Sequence, residues 1–272
     1  MSETETLAES KVKIVRDGDV AILTLSDPAT MNAAGVDMAA DLTAALNSVV
    51  EGDSPARAVV LTGEGRGFCS GANLTSMGSP SQSPSGERAG VGDALKTVYN
   101  PLVILIRDLP IPIVTAVNGA AAGVGCSLAL MGDLIVAGES AYFLQAFRRI
   151  GLVPDGGSTY LLPRMIGRAR AMEMTLLGER LPAAKALEWG LINRCVPDAE
   201  LMATALELAR ELARGPKSLG LIRKAMWTSL DSDLAEQLNY EADTQNEAGR
   251  SQDFMEGVQA FLQKRPAVFK GR

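Results

Sequence analysis

Histidine is absent from the 272-residue chain. Its absence excludes Ser-His and Cys-His nucleophile pairs, imidazole general bases and the usual sets of zinc ligands. No other single count in the composition narrows the possible chemistry as much.

Basic and aromatic residues are also in short supply. The chain carries 26 Lys and Arg against 32 Asp and Glu, a net charge of −6, and no basic cluster stands out. Aromatic residues make up 4% of the chain, too few for a surface on which nucleic-acid bases would stack. Both features argue against a nucleic-acid partner.

Cysteine is scarce as well. Cys69, Cys126 and Cys195 are widely separated and odd in number. Such a set predicts free thiols in a reducing cytoplasm, each packed as a small buried apolar side chain, and not a disulfide framework. We therefore expect a cytoplasmic protein.

Uninterrupted apolar runs are missing too. Residues 111–132 carry no charge and are long enough to cross a bilayer, but Pro112, Thr115 and Asn118 interrupt them and no aromatic belt flanks them. The first ten residues are polar and acidic, without the basic and apolar regions of a secretory signal. We expect a soluble protein with no membrane partner.

The sequence does have the alternation of an α/β protein, with enough apolar residues (47%) for one large core or a core and an appendage. Strands are predicted at 11–15 and 20–25 around a turn at 17–19, then at 58–63, 112–119 and twice within 133–144. Helices are predicted at 37–50, with an apolar stripe of Met38, Leu42, Leu46 and Val49, and at 94–107 and 123–131. The recurring order of strand, glycine turn and helix indicates an α/β spiral or a layered fold.

Two regions differ from this alternation. Residues 75–92 are rich in Ser, Pro and Gly, which predicts a mobile loop of the length of a lid. Beyond residue 197 only helices are predicted, near 200–215, 218–230 and 234–263. The first has an apolar stripe of Leu201, Ala205, Leu208 and Leu212. We expect this tail to pack against the body or a second subunit.

Two glycine-rich loops follow predicted strands. GEGRGFCSGANL (63–74) has Phe68 where a dinucleotide-binding loop needs glycine, and no P-loop lysine follows. VNGAAAGVGCSLAL (117–130) leads from a strand into a helix start. Taken singly, each loop is better explained as a tight turn or as close packing of small residues. Together, two such loops suggest an oxyanion hole built from two main-chain N–H groups.

Asp155 lies in a third such segment, GLVPDGGSTYLLPR (151–164). An aspartate before Gly156, Gly157 and Ser158 is a suitable N-cap for a helix that runs towards Met165. A carboxylate in this position is also a candidate catalytic acid/base. The pattern by itself favours the cap.

Five segments resemble the crotonase (enoyl-CoA hydratase/isomerase) superfamily across almost the whole chain. They are MNA (31–33), GFCSGANL (67–74), PIVTAVNGAAAGVG (112–125), GLVPDGGSTYLLPR (151–164) and ALEWGLINRCV (186–196). The segment at 151–164, which contains Asp155, and FLQAFRRIG (143–151) most resemble the 1,2-epoxyphenylacetyl-CoA isomerase branch, which serves phenylacetate degradation.

The resemblance implies an oxyanion hole for a thioester carbonyl, with the N–H groups of Ala72 and Val124 as donors. Valine stands where the family's second donor is commonly glycine, and it retains its N–H group. Asn73 stands where the family has aspartate, a change that should matter little because the main chain makes the contact. The further substrate or CoA contacts that the resemblance implies are Asn32, Ala33, Gly71, Asn73, Leu74, Gly123, Ser127, Phe147, Phe261 and Lys264.

Two departures from the family pattern bear on the reaction. Hydratases of the family hold water with two glutamates, whose positions match Ser127 and Phe147. Serine is a poor base, and phenylalanine cannot transfer a proton. Asp155 stands where those hydratases usually have glycine, and related isomerases use an acidic residue in this region. The resemblance therefore implies an acyl-CoA isomerase with Asp155 as acid/base, and a cap and a base are compatible roles.

The alternatives are a hydratase or thioesterase with a substitute water-binding group, and a degenerate acyl-CoA-binding protein without catalysis. The expected fold is the crotonase spiral of ββα units over residues 1–197, followed by a helical trimerisation region over residues 198–272. We expect a trimer or a dimer of trimers, with Phe261 and Lys264 near a neighbour's CoA site. No metal or redox cofactor is implied, because coenzyme A enters as part of the substrate.

Overall fold

The computed structural model describes residues 4–5, 10–73 and 91–272. Leu74 and nearly all of the predicted lid at 75–92 lie outside the described residues. The strands are β1 (Thr4–Glu5), β2 (Val12–Asp17), β3 (Val20–Leu25), β4 (Ala58–Gly63), β5 (Gly67–Cys69), β6 (Ile113–Val117), β7 (Ala120–Ala122), β8 (Leu134–Gly138), β9 (Tyr142–Leu144), β10 (Leu181–Pro182) and β11 (Arg194–Val196).

The helices are α1 (Val36–Val50), α2 (Val91–Ala94), α3 (Asn100–Asp108), α4 (Val124–Ala129), α5 (Ser158–Leu177), α6 (Ala183–Trp189), α7 (Leu201–Ala213), α8 (Ser218–Thr228), α9 (Leu234–Gly249) and α10 (Gln252–Gln263). A π-helical turn (Leu95–Tyr99) joins α2 to α3, and short 3₁₀ turns lie at Pro28–Thr30, Ala146–Ile150 and Asp198–Glu200.

The strands form two sheets through which the chain spirals. The larger sheet has the order β1-β2-β3-β4-β6-β8-β11, and the smaller has the order β10-β9-β7-β5. In each of the pairs β4/β5, β6/β7 and β8/β9, the first strand joins the larger sheet and the second joins the smaller sheet, and the chain then enters its next helix. Strands β3, β4, β6, β8 and β11 are parallel neighbours, as are β5, β7 and β9. This is the expected spiral of ββα units, and the predicted fold class is confirmed.

Helix α7 covers one face of the larger sheet. Valines of the strands, among them Val60 and Val114, form a buried cluster with the helix. The buried line of α7 consists of Leu201, Ala205, Ala209 and Ala213. Leu208 and Leu212, predicted to lie in the stripe, are only partly buried beside it. Small alanines allow the helix to lie close to the sheet, and the leucines flank the contact.

Two other predictions can be compared directly with the structure. The stripe of Met38, Leu42, Leu46 and Val49 on α1 is fully buried, as expected. The predicted single helical segment over 234–263 is wrong, because the chain breaks between α9 and α10. Ser251 caps the new helix there by accepting a hydrogen bond from the N–H of Phe254 at 3.0 Å. None of the helices in the described part of the chain is long and apolar enough to span a membrane.

Candidate active site

Two glycines bring the predicted oxyanion loops into contact. Gly71 has φ +104°, and a Cβ at this position would lie 2.9 Å from the carbonyl oxygen of Ala122. Gly123 has φ +53°. The same Cβ on Gly71 would lie 3.8 Å from the α-carbon of Gly123. Only glycine fits the first position without strain. The loops after β5 and β7 therefore approach each other through bare main chain.

Each loop presents a main-chain donor next to its glycine. Ala72 follows Gly71, and Val124 is the first residue of α4, where a helix leaves its N–H groups unpaired. Within the described residues, neither N–H is bonded to an acceptor. Both residues line the same pocket. The two unbonded N–H groups are therefore candidates for donating to a ligand in this pocket.

Asn32 anchors the first loop from below. Its side-chain amide donates to the carbonyl oxygens of Glu64 and Gly67 at 2.9 and 2.8 Å, and its Oδ1 accepts from the N–H of Asp27 at 2.8 Å. Asn32 is completely buried. The structure therefore gives this residue a supporting position in the fold and not a place in the pocket wall.

Ala34 connects two residues of the pocket wall, Gly71 and Tyr99, through its main chain. Its N–H donates to the carbonyl oxygen of Gly71 at 2.8 Å, and its own carbonyl accepts from the hydroxyl of Tyr99 at 2.6 Å. Neighbouring Ala33 is also buried, and its N–H donates to Thr30 Oγ1 at 3.2 Å. Like Asn32, Ala33 is not among the residues that line the pocket.

Asp155 does not cap helix α5 with its side chain. The helix begins at Ser158, and its N-cap residue, Gly157, makes no side-chain hydrogen bond. The main-chain carbonyl of Asp155 instead accepts from the N–H of Ser158 at 3.1 Å and from the Ser158 Oγ at 2.9 Å. The carboxylate is thus not used in capping, and the cap interpretation of this aspartate is wrong.

The Asp155 carboxylate is half-buried and has no hydrogen-bond donor among the described residues. Its Oδ1 is buried and unpartnered. Burial raises the pKa of Asp155 to about 6 from an ordinary value of 3.8. A carboxylate with a pKa near neutrality can both accept and return a proton at physiological pH.

A pocket of about 230 Å³ joins these groups. Its wall is lined by Ser70, Gly71, Ala72, Ala94, Leu95, Tyr99, Gly123, Val124, Ala146, Phe147, Arg149, Ile150, Leu152 and Asp155. Most of these side chains are apolar, so the pocket suits an apolar group beside a polar carbonyl. Six of the predicted site residues meet here: Gly71, Ala72, Gly123, Val124, Phe147 and Asp155.

The remaining predicted site residues that the structure describes do not line this pocket. Ser127 is fully buried behind the pocket wall, where its Oγ donates to the carbonyl oxygen of Asp155 at 2.9 Å. Asn73 is half-buried near the start of α1, and Leu74 is outside the described residues. Phe261 is 83% exposed on α10, and Lys264, also exposed, ends that helix in a left-handed conformation. In a single chain neither lines the pocket.

Tyr99 also lines the pocket, and no sequence pattern predicts this position for it. A tyrosine within a helical segment is ordinary, and its place in the wall depends on how the helix packs. Burial, and then the charge of Asp155, raise the pKa of Tyr99 to about 12. Because the hydroxyl already donates to Ala34, Tyr99 shapes the wall and does not exchange protons near neutral pH.

A larger open cleft of about 1,360 Å³ lies between the body and the C-terminal helices. Its lining carries charges of both signs, including Asp53, Arg107, Asp108 and Lys224. None of the predicted site residues lines it. The smaller pocket is therefore the better candidate for catalysis.

Comparison with known proteins agrees with the geometry. The sequence profile described as "Enoyl-CoA hydratase/isomerase" matches residues 16–272. The chain is 46% identical over 254 residues to the 1,2-epoxyphenylacetyl-CoA isomerase of Escherichia coli K12, covering 93% of this chain and 95% of the relative. It is also 46% identical over 258 residues to a Rhodobacter capsulatus protein named "Probable enoyl-CoA hydratase", with the same coverage of both chains.

Solved structures show the same similarity in three dimensions. The enoyl-CoA hydratase from Bacillus anthracis superposes with a TM-score of 0.87 at 29% identity, covering 96% of this chain and all of that one. The enoyl-CoA hydratase subunit I of Geobacillus kaustophilus HTA426 also gives 0.87, at 33% identity, over 96% and 98% of the two chains. Of the two sequence relatives at 46% identity, one is named as an isomerase and the other as a probable hydratase.

Proposed function

Because the chain belongs to the enoyl-CoA hydratase/isomerase family, we propose that it is an acyl-CoA isomerase. It moves a double bond, or opens and rearranges an epoxide, in the acyl part of a coenzyme A thioester. The observation that carries this proposal is the unpartnered Asp155 carboxylate, which lies in an apolar pocket beside the N–H groups of Ala72 and Val124.

In the proposed mechanism, the two N–H groups hold the thioester oxygen. Removal of a proton from the acyl chain places negative charge on this oxygen as an enolate forms. Preorganised donors stabilise that charge more strongly than they stabilise the neutral carbonyl, which lowers the barrier. The mechanism uses no metal or redox cofactor, and coenzyme A participates only as part of the substrate.

Asp155 is the group proposed to move the proton. The other ionisable side chains among the described lining residues are Tyr99 and Arg149. The Tyr99 hydroxyl donates to Ala34, and the Arg149 guanidinium donates twice to the carbonyl of Gly178, at 2.8 and 3.2 Å. A single carboxylate therefore takes the proton from one carbon and returns it to another.

The positions that would hold water in a hydratase of this family support isomerisation over hydration. Ser127 is fully buried and directed at main-chain oxygens, and Phe147 presents an aromatic ring to the pocket. Neither can activate a water molecule. The equal identity to the relative named a probable hydratase keeps hydration as the second candidate, with Asp155 alone holding the water. A binding protein without catalysis is the third.

The test is a comparison of two reactions on purified protein. A 3-enoyl-CoA would be assayed for conjugated product, and crotonyl-CoA for hydration, at the same enzyme concentration. The saturated hexanoyl-CoA serves as the control because it has no double bond to move. We expect isomerisation to exceed hydration by a wide margin. Hydration at an equal or higher rate would favour the second candidate, and no turnover of either would favour the third.

We also propose that residues 198–272 mediate assembly into a trimer or a dimer of trimers, beside a core of residues 1–197. Several large apolar side chains on the C-terminal helices are exposed in one chain, among them Met226, Leu234, Phe261 and Leu262. Exposed apolar groups in this number are typical of a subunit contact. In that assembly Phe261 and Lys264 approach a neighbour's CoA site. We place the enzyme in the cytoplasm.

A further inference from the structure

Two serine hydroxyls meet at the main chain of Asp155. Ser127 Oγ and Ser158 Oγ each lie 2.9 Å from the Asp155 carbonyl oxygen, and the two hydroxyls are 2.6 Å from each other. Both serines are completely buried. The side-chain amide of Gln145 donates to Ser158 Oγ at 3.2 Å. Two buried hydroxyls, supported by an amide, thus lie against a single carbonyl, and their two protons are shared among the three contacts between these oxygens.

This contact connects the two halves of the site. Ser127 lies on α4, three residues after Val124, whose N–H is one of the oxyanion donors. Ser127 is also bonded to the start of α4, because its N–H donates to the carbonyl of Gly123 at 3.2 Å. Ser127 therefore connects the helix that begins at Val124 to the Asp155 main chain through one helical turn and one hydrogen bond.

The loop that carries Asp155 combines three glycines with Pro154, which fixes only its own φ. Gly151, Gly156 and Gly157 all have positive φ, a conformation that glycine adopts freely but does not enforce. The carboxylate makes no hydrogen bond that would orient it within the described part of the chain. Contacts to the main chain must therefore set its direction, and the Ser127 and Ser158 hydroxyls supply them.

We propose that Ser127 and Ser158 are positioning residues that hold the Asp155 main chain at a set distance from the Val124 N–H, so that the carboxylate faces the bound acyl chain. The role rests on the proposed isomerase function. It replaces the substrate contact that the family resemblance implies for Ser127, and it adds Ser158, which the sequence pattern indicates only as part of a helix start.

The carboxylate itself reports on this restraint. The other charged and titratable groups that line the pocket among the described residues are Tyr99, whose pKa the Asp155 charge helps to raise, and Arg149. Neither donates a hydrogen bond to it. Burial alone raises the pKa of Asp155 to about 6, so a loop that loosens and admits water should bring the pKa back towards its ordinary value of 3.8.

The experiment compares Ser127→Ala and Ser158→Ala with a matched control. Thr62→Val also removes a buried hydroxyl that donates to a main-chain carbonyl, that of Ala116 at 2.8 Å, but away from the pocket. Each serine variant leaves the second hydroxyl on the carbonyl, which preserves the fold. The measurements are kcat and KM on a 3-enoyl-CoA, the melting temperature, and the pKa of Asp155 from carboxyl ¹³C NMR, with its resonance assigned by Asp155→Asn.

We expect both serine variants to lose about 10- to 100-fold in kcat, with KM changed by less than about threefold, since misplacement by about 1 Å has effects of this order. The NMR pKa of Asp155 should fall in both. Ser158→Thr, which retains the hydroxyl, should restore kcat, and Thr62→Val should change only the melting temperature. Serine variants that keep the wild-type kcat and the wild-type Asp155 pKa, with only a lower melting temperature, would overturn the proposal.

The NMR arm separates this proposal from the function on which it rests. If the wild-type protein has no isomerase activity, the proposed function fails by itself. The titration of Asp155 in the serine variants still tests the positioning role of Ser127 and Ser158. An Asp155 pKa that stays at the wild-type value in both serine variants would then overturn the positioning role. A pKa that falls in both variants would support it.

Discussion

Gly156 lies directly against Ser127. A Cβ on Gly156 would be 2.8 Å from the Ser127 Cβ and 3.1 Å from its Oγ, and Gly156 has φ +59°. No space therefore remains between α4 and the Asp155 loop for a side chain larger than serine. The family resemblance places a water-holding glutamate of the hydratases at position 127, and this chain has closed that space with the loop that carries its own acidic residue.

Restoring that glutamate should consequently not restore hydration. We expect Ser127→Glu to lower the free energy of unfolding by about 3 kcal/mol or more, because it overpacks the contact and buries an unpaired charge. Crotonyl-CoA hydration should stay at or below the wild-type rate. Val153→Glu is the control, since Val153 is 79% exposed on the same loop. A stable Ser127→Glu variant with increased hydration would disprove this packing argument.

Activity should follow the ionisation of Asp155. Burial raises the pKa of this carboxyl to about 6, and the base must be ionised to take a proton. We expect kcat/KM to be level above pH 7 and to fall about tenfold per pH unit below about pH 6. A pH–rate profile on a 3-enoyl-CoA measures this. A profile that stays level down to pH 4.5 would mean that another group acts as the base.

Stability should respond to pH in the opposite direction. The folded-state pKa lies above the unfolded value of 3.8, so the folded state binds more protons between about pH 4 and 6. The contribution of Asp155 to stability is therefore fully present below pH 4 and is lost as the pH rises through 6. As the pH rises through this window, the free energy of unfolding of the wild-type protein, measured by urea titration, should fall relative to that of Asp155→Asn. A constant difference between the two proteins would contradict the raised pKa.

Tyr99→Phe separates wall building from catalysis. The variant removes the hydroxyl that donates to the carbonyl of Ala34 and leaves this buried acceptor unsatisfied. We expect the free energy of unfolding to fall by about 1–3 kcal/mol, while kcat stays within a few-fold of wild type. Denaturant titration and initial rates provide the two numbers. A loss of kcat by 10²-fold or more would make Tyr99 part of the proton transfer.

Assembly is testable by mass. We expect light scattering to give three or six times the chain mass of 28.6 kDa at micromolar concentration. The double change of Phe261 and Leu262 to Glu should dissociate the particle, because both side chains are among the exposed apolar groups of α10. Gln259→Glu adds charge at an exposed polar position of the same helix and should leave the mass unchanged. A wild-type monomer would rule out the trimer.

Local sequence patterns were sufficient to predict much of the fold. Alternating apolar residues and glycine turns identified strands β2, β3, β4 and β6, and the α1 stripe followed from helical spacing. Motif resemblance then placed Gly71, Val124 and Asp155 in one site, and the structure brings them to one pocket. These features depend on neighbours in the sequence, or on motifs that retain their spacing.

Features that depend on packing between distant segments could not be predicted in this way. The wall position of Tyr99 is set by how its helical segment packs against Ala34, and the buried line of α7 follows the shape of the sheet and not the largest side chains. Asp155 resembled a cap because caps are common in that sequence context. Only the fold reveals that the N–H and the hydroxyl of Ser158 donate to the main-chain carbonyl of Asp155 and leave its carboxylate without a partner among the described residues.

The most direct test of the proposed mechanism is Asp155→Asn, assayed for 3-enoyl-CoA isomerisation and melted at pH 7.5. The carboxylate makes no cap hydrogen bond, so neutralising it should leave the melting temperature unchanged or raise it. Loss of the only proposed base should slow turnover by on the order of 10²–10⁴-fold. Turnover within a few-fold of wild type, in a variant that melts at the same temperature, would contradict the assignment of Asp155 as the acid/base.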